Sequence, residues 1–163
     1  QSAIQLELPP LPLADTADFL SQLFSKEGKE GPEKICEDIA LKVKRHPYYV
    51  QRLAREVYEL SKKRISQQDI TGALEIIIDT ERYAFESVLS RLTLPQVRVI
   101  RTLAAFPTRE MLSGEFVGRC GLPPSSVQFA RDRLKTEDLI WQDKTTRTWN
   151  VVDPVFSMWL KRL

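Results

Sequence analysis

Apolar positions recur every three or four residues along most of this chain, the period of helices that bury one face. The exception at the start is Ile4-Gln5-Leu6-Glu7-Leu8, whose strict alternation predicts a short strand. Pro9, Pro10 and Pro12 then block both helix and central strand. Asp15 is the expected cap of a first helix carrying Phe19, Leu20, Leu23 and Phe24. A polar loop with Gly28 and Gly31 separates it from a second helix bearing Ile35, Ile39, Ala40 and Val43. His46-Pro47 interrupts that helix, because a residue before proline is pushed out of the helical region, and Pro47 suits the first turn of a third. The third helix presents Val50, Leu53, Ala54, Val57 and Leu60. Ser66, with Asp69 three residues on, opens a fourth with Ile70, Ala73, Leu74, Ile77 and Ile78. Phe85, Val88, Leu89 and Leu92 keep the same spacing, as one long helix or as two with a break near Thr80.

The last third changes pattern. Thr93 caps a helix with Pro95 in its first turn and Val97, Ile100, Leu103 and Ala104 inward, which Pro107 ends. Ser113 caps a short helix with Phe116 and Val117, and Gly121-Leu122-Pro123-Pro124 is a turn. Ser125, with Gln128 at the capping-box position, opens a helix whose inward stripe is Val127, Ala130 and Leu134. Residues 139–142 and 148–152 read as two strands joined by a wing from Asp143 to Arg147. Helix, helix-turn-helix and hairpin is the winged-helix order, closed here by an aromatic segment from Asp153 to Leu160.

The expected fold is therefore mainly α, a helical bundle followed by a winged helix-turn-helix with a small β-hairpin wing. Its expected divisions are 1–14 (strand and linker), 15–91 (bundle) and 92–163 (winged helix). Composition narrows the function. No apolar run approaches a membrane span, and no secretory leader is visible. Cys36 and Cys120 are too few for a disulfide framework or a Cys-rich zinc site, so both are expected as reduced core residues of a cytoplasmic protein. Residues 1–91 carry 13 basic and 15 acidic side chains, and residues 92–163 carry 11 and 7. The winged helix is thus mildly basic, short of the dense cationic footprint of a committed nucleic-acid binder.

His46-Pro47-Tyr48-Tyr49-Val50-Gln51, Phe85 to Thr93, and Val151-Val152-Asp153-Pro154-Val155-Phe156 with Trp159-Leu160 together carry a resemblance over nearly the full length. In that order they resemble the C-terminal part of archaeal-type AAA+/STAND ATPases: a lid motif, the lid-to-winged-helix junction and a closing signature. The resemblance implies that 15–91 is a lid domain and that an N-terminal ATPase domain is the partner. The Ile4–Leu8 strand would then be the last strand of that domain's sheet. It also implies that Arg45, His46 and Pro47 sense nucleotide in the parent protein, with ATP and magnesium bound by the absent domain. The chain has no Gly-x-x-x-x-Gly-Lys-Ser/Thr phosphate loop; Gly28-Lys29-Glu30-Gly31 lacks both the spacing and the hydroxyl. No cofactor or metal is expected for the chain itself, and no catalytic constellation is found.

The reader helix from Ser125 offers Ser125, Ser126, Gln128, Phe129, Arg133 and Lys135, and the wing offers Lys144 and Arg147. Gln128 and Arg133 have the chemistry to reach base edges, and the serines to meet phosphate. Phe129 and Asp132 instead suit a protein contact. Lys62-Lys63-Arg64 reads as a solvated run at a helix C-terminus, and Trp141, Trp149 and Trp159 as winged-helix core. The expected function is a regulatory and recognition segment that relays nucleotide state to double-stranded DNA, to a protein, or through self-association. The rivals are a stand-alone DNA-binding regulator and a pure protein-interaction module.

Overall fold

The computed structural model describes residues 9–163, so the expected strand at Ile4–Leu8 lies outside the described residues. Eight helices and one two-stranded sheet are described, in the order α1 (Leu13–Lys26), α2 (Glu33–Lys42), α3 (Pro47–Leu60), α4 (Gln67–Ser90), α5 (Leu94–Ala105), α6 (Gly114–Cys120), α7 (Pro124–Thr136), β1 (Ile140–Gln142), β2 (Trp149–Val151) and α8 (Pro154–Leu160). The chain divides into two compact units between Asp79 and Thr80, within α4. That helix is continuous through Thr80. Among the described residues no helix is long and apolar enough to cross a membrane.

In the first unit α1 packs on α2 and α2 on α3. The apolar stripes meet in a core of Leu20, Phe24, Cys36, Ile39, Val50, Leu53, Val57, Ile70 and Ile77. Three local expectations are corrected. Asp15 is not the cap of α1. The cap position lies three residues earlier, at Pro12, whose carbonyl accepts from the Thr16 amide and hydroxyl at 3.1 and 2.6 Å. Asp15 falls in the first turn, where a carboxylate favours the helix dipole. Phe19 and Leu23 face outward, while Ala17 takes their place inside. The Lys62-Lys63-Arg64 run does not cap α3, which ends at Leu60. Its last carbonyls are met by Lys29, whose ammonium donates to the carbonyls of Tyr58 and Ser61 and stands 4.2 Å over the Tyr58 ring. The Ser66–Asp69 capping box forms, with the Ser66 amide donating to the Asp69 carboxylate at 2.8 Å.

Cys36 is fully buried, and this, aided by the Glu33 carboxylate, pushes its thiol up to about 11. An unfolded chain releases that proton at lower pH. The stabilisation held by the neutral buried thiol is therefore full below about pH 9 and is lost as pH rises toward 11. Urea midpoints are expected to drop more between about pH 8 and about pH 10.5 in the native sequence than in Cys36→Ala. Equal drops in the two proteins would remove Cys36 as the cause.

In the second unit α5 is the central element, touching α6, α7, α8 and β2. The Thr93 amide donates to Gln96 Oε1 at 2.9 Å to fix its start. Its buried face is Val99, Ile100, Leu103 and Ala104; Val97, expected inside, is only half-buried. Helix α6 is capped by Ser113, which accepts from the Phe116 amide at 3.3 Å, and ends at Gly121 in the left-handed region, φ 62°. The expected Ser125 cap of α7 is replaced by Pro123, with Pro124 as the first helical residue. Strands β1 and β2 pair antiparallel in the register Ile140↔Val151, Trp141↔Asn150, Gln142↔Trp149. Thr108 adds a bridge to Trp149, whose amide donates to the Thr108 carbonyl at 2.7 Å. The alternation along β1 buries Ile140 and turns Trp141 outward, so Trp141 is not core as expected. Trp149 and Trp159 are buried.

Asp153 caps α8, its Oδ1 accepting from the amides of Val155 and Phe156, both at 2.8 Å. That cap presents Phe156 and Trp159 to Phe85, with ring centroids 5.1 and 5.7 Å from the Phe85 ring. Asp153→Ala is expected to cost about 1–2 kcal/mol, read as a lower urea midpoint of tryptophan emission. A midpoint unchanged from the native one would show that the cap contributes nothing.

Candidate functional site

Two places in the chain carry the expected functional residues, one in each unit. The first is the loop between α2 and α3. Lys44 and Arg45 both adopt positive φ, 51° and 57°, in succession. Each such residue costs about 1 kcal/mol or more when it is not glycine. The loop holds them through amides: Lys44 to the Leu41 carbonyl at 3.0 Å, Arg45 to Ala40 at 2.8 Å and His46 to Val43 at 3.0 Å. Arg45 is also tied to the segment ahead of α1. Its carbonyl accepts from the Leu11 amide at 3.0 Å, and its Nη1 donates to the Leu11 carbonyl at 3.3 Å. Arg45 is thus a clasp on the chain entering α1.

His46 follows, half-buried, its ring centroid 5.2 Å from that of Tyr49. Its Nδ1 is buried and has no hydrogen-bond partner. A buried polar atom in that state is unusual in a folded protein. Pro47 occupies the first position of α3, as the sequence predicts. Tyr48 is exposed and accepts from Arg52 Nη1 at 3.0 Å.

The second place is the outer face of α7 with the wing. Burying Val127, Ala130 and Leu134 turns Ser125, Gln128, Phe129, Arg133 and Lys135 to solvent, with Ser126 half-buried. Phe129 is the extreme case at 79% exposed. Two arginines of α7 are paired with neighbouring acids. Arg133 Nε meets Glu137 at 2.7 Å, and Arg131 Nη2 meets Asp132 at 2.8 Å. Arg131 and Lys135 both lie against the Trp149 ring, 5.9 and 5.8 Å from its centroid. The wing is a tight turn. Asp143 Oδ1 accepts from the amides of Thr145 and Thr146 at 2.8 and 2.7 Å, which holds its carboxyl below the usual carboxylate range. Lys144 and Arg147 project from this turn, exposed, with Arg147 at φ 62°. Its short span keeps both cations close to the hairpin.

A third grouping was missed from the sequence. Arg98 and Arg101 of α5, Arg119 of α6 and Lys161 just past α8 line one cleft. Arg98 Nη1 donates to the Gly121 carbonyl at 3.3 Å, and the Arg119 guanidinium stands 3.9 Å from the centre of the Phe106 ring. The legible signal was Arg98 and Arg101 three residues apart on the polar side of α5. Their meeting with Arg119 and Lys161 was not legible.

With this geometry the class of the second unit is plain: it is a winged helix. Residues 83–162 match the family model described as a probable winged helix domain. A wider likeness takes in almost the whole chain. Its structure is similar to that of a Walker-type ATPase of Pyrococcus abyssi, with a TM-score of 0.71 at 18% sequence identity. The match covers 94% of this chain and 43% of that one, so this chain spans less than half the length of its structural relative. No curated protein matches the sequence.

Proposed function

We propose that this chain is the lid and winged helix of an ATPase, and that it carries nucleotide state from the lid loop to a protein partner of the α7 face. The supporting observation is the extent of the structural likeness. It runs through both units in one order, and it leaves more than half of the relative's length for a further domain. In this reading ATP and magnesium belong to an N-terminal α/β domain, because the phosphate-loop sequence is absent here. The chain itself recognises and positions; it does not catalyse. Arg45, His46 and Pro47 form the nucleotide-facing loop. The unpartnered His46 Nδ1 is the group that a phosphate or a bound water would satisfy. Closure of the lid on nucleotide then moves the winged helix as a body.

The choice of a protein over DNA at α7 rests on Phe129 and on charge. An aromatic ring at 79% exposure, on a helix whose Arg131 and Arg133 are paired with neighbouring acids, suits a buried contact patch better than a DNA groove. Ser125, Ser126, Gln128, Lys135, Lys144 and Arg147 would form the polar rim of that patch.

Two measurements test the reading. The reading frame upstream of Gln1 is expected to encode a phosphate loop; an in-frame stop ahead of any such motif would overturn the ATPase reading. Isothermal titration of the chain alone is expected to show no preference for ATP over inorganic tripolyphosphate, because the phosphate-loop sequence that would select a nucleotide is absent here. For the α7 face, Phe129→Ala is expected to leave the melting temperature unchanged. A duplex-DNA affinity abolished by Arg133→Ala would make that helix a DNA reader and sink the protein-contact assignment.

A further inference from the structure

Apart from the α7 residues discussed above, the winged helix carries a second grouping with a different chemistry. Where α5, α6 and the end of α8 meet, the structure has an open cleft of about 330 Å³. Arg98, Arg101, Arg119 and Lys161 line it, Thr102 adds a hydroxyl, and no Asp or Glu side chain is among the lining residues, although Leu163, which bears the terminal carboxylate of the chain, is. We propose that this cleft binds a phosphate group, carried either by a nucleic-acid backbone or by a free polyphosphate.

Three observations carry the assignment. The first is residual charge. Glu115 offsets one cation, meeting Arg119 Nη2 at 3.0 Å. Helices α6 and α8 end beside the cleft, and a helix C-terminus contributes at most about half a negative charge. With the Leu163 terminal carboxylate also counted, roughly one positive charge remains uncompensated in one concavity. Arg101 and Lys161 have no ion-pair partner among the described residues.

The second is preorganisation. Arg98 is anchored on the Gly121 carbonyl, and Arg119 is stacked on Phe106 while paired with Glu115. Two guanidinium forks are thus held beside the cleft before any ligand arrives. This lowers the ordering cost of binding, and guanidinium geometry matches phosphate oxygens. Gly121 contributes through its left-handed conformation, φ 62°, which turns the chain between α6 and α7 and leaves its carbonyl on Arg98.

The third is contrast. On α7 the arginines are spent on neighbouring carboxylates, Glu137 and Asp132. In the cleft, cations from three separate helical segments converge, and only Arg119 among them is paired with an acidic side chain, Glu115. Helix C-terminal neutralisation explains Arg98 and Arg119. It does not explain Arg101, which lies in the body of α5.

The assignment does not depend on the ATPase reading, and its test is separate. The full chain is titrated into a short labelled DNA duplex by fluorescence anisotropy over a salt series, and with inorganic pyrophosphate by calorimetry. The native chain is expected to bind at least one of them at low salt. The Arg101→Gln/Lys161→Gln double variant, with an unchanged thermal melt, is expected to bind about tenfold more weakly or worse. For the duplex its log–log salt slope is expected to be shallower by about 2. Arg101→Glu alone is expected to act in the same direction, whereas Phe129→Ala leaves binding unchanged. Duplex binding with a steep salt slope identifies a nucleic-acid backbone as the source; pyrophosphate binding without duplex binding identifies a free polyphosphate. If neither probe binds the native chain at low salt, or the double variant binds as well as the native chain, the proposal is overturned.

Discussion

Phe156→Ala is expected to destabilise the winged helix by about 3–5 kcal/mol, the largest effect of any single change considered for this chain. Phe156 is 3% exposed and forms one aromatic cluster with Phe85 and Trp159, the ring of Trp159 6.0 Å away and nearly parallel. Truncation removes the transfer free energy of a whole ring and leaves a cavity. The two remaining rings cannot both close it, because each is already fixed by the other's packing. For a unit of this size the expected fall in melting temperature is roughly 12 °C or more. Tryptophan emission is the appropriate probe, since Trp141, Trp149 and Trp159 all belong to the second unit. Its transition should move far to lower urea. A shift of less than about 1 kcal/mol would mean that the cluster is loosely packed and that α8 is held chiefly by its cap.

Gly31→Ala is expected to destabilise the first unit by about 1–3 kcal/mol, although it adds only a methyl group. Gly31 is buried in the loop between α1 and α2. A Cβ there would lie 2.8 Å from Phe24 Cδ2 and 3.4 Å from Cys36 Sγ. Phe24 is 2% exposed, so its ring has no solvent side into which to swing. The Gly31 carbonyl is also held by the Ser21 hydroxyl at 2.8 Å, which resists displacement of the loop. The effect is steric, and the control is Gly114→Ala in the first turn of α6, where a Cβ would meet nothing within 4 Å. That control should be neutral or slightly stabilising. Thermal melts by far-UV circular dichroism decide it: if Gly31→Ala melts with Gly114→Ala, the close approach does not constrain the loop.

The site residues divide by how locally they are determined. The exposure of Phe129 was legible, because Val127, Ala130 and Leu134 define the inward stripe and leave Phe129 opposite. The neutralisation of Arg133 by Glu137 follows from i,i+4 spacing. The break at His46-Pro47 was legible from proline chemistry. The left-handed pair Lys44 and Arg45 was not, since neither residue type favours positive φ. Nor was the clasp of Arg45 on Leu11, which joins residues far apart in sequence. The cationic cleft was least legible of all. It forms only when α5, α6 and the end of α8 pack together, and no local period encodes that meeting.

The sequence by itself determined the order and type of the elements from α1 to α8, the helix-turn-helix with its hairpin, and the caps at Ser66, Thr93 and Ser113. These depend on residues within one turn of each other: periodic apolar side chains, short polar caps and proline at first positions. Tertiary structure decided which neighbour wins at each half-buried position. It buried Val99 more fully than Val97, turned Trp141 outward, and gave the end of α3 to Lys29 rather than to the basic run that follows it. It also carried α4 unbroken past Thr80, with Ile70 to Ile78 buried in one unit and Phe85 in the other. For the positions on α5 and β1 the reason is the same. A side chain's own helix or strand offers two or three nearly equivalent faces, and only packing against distant segments makes one of them lower in free energy.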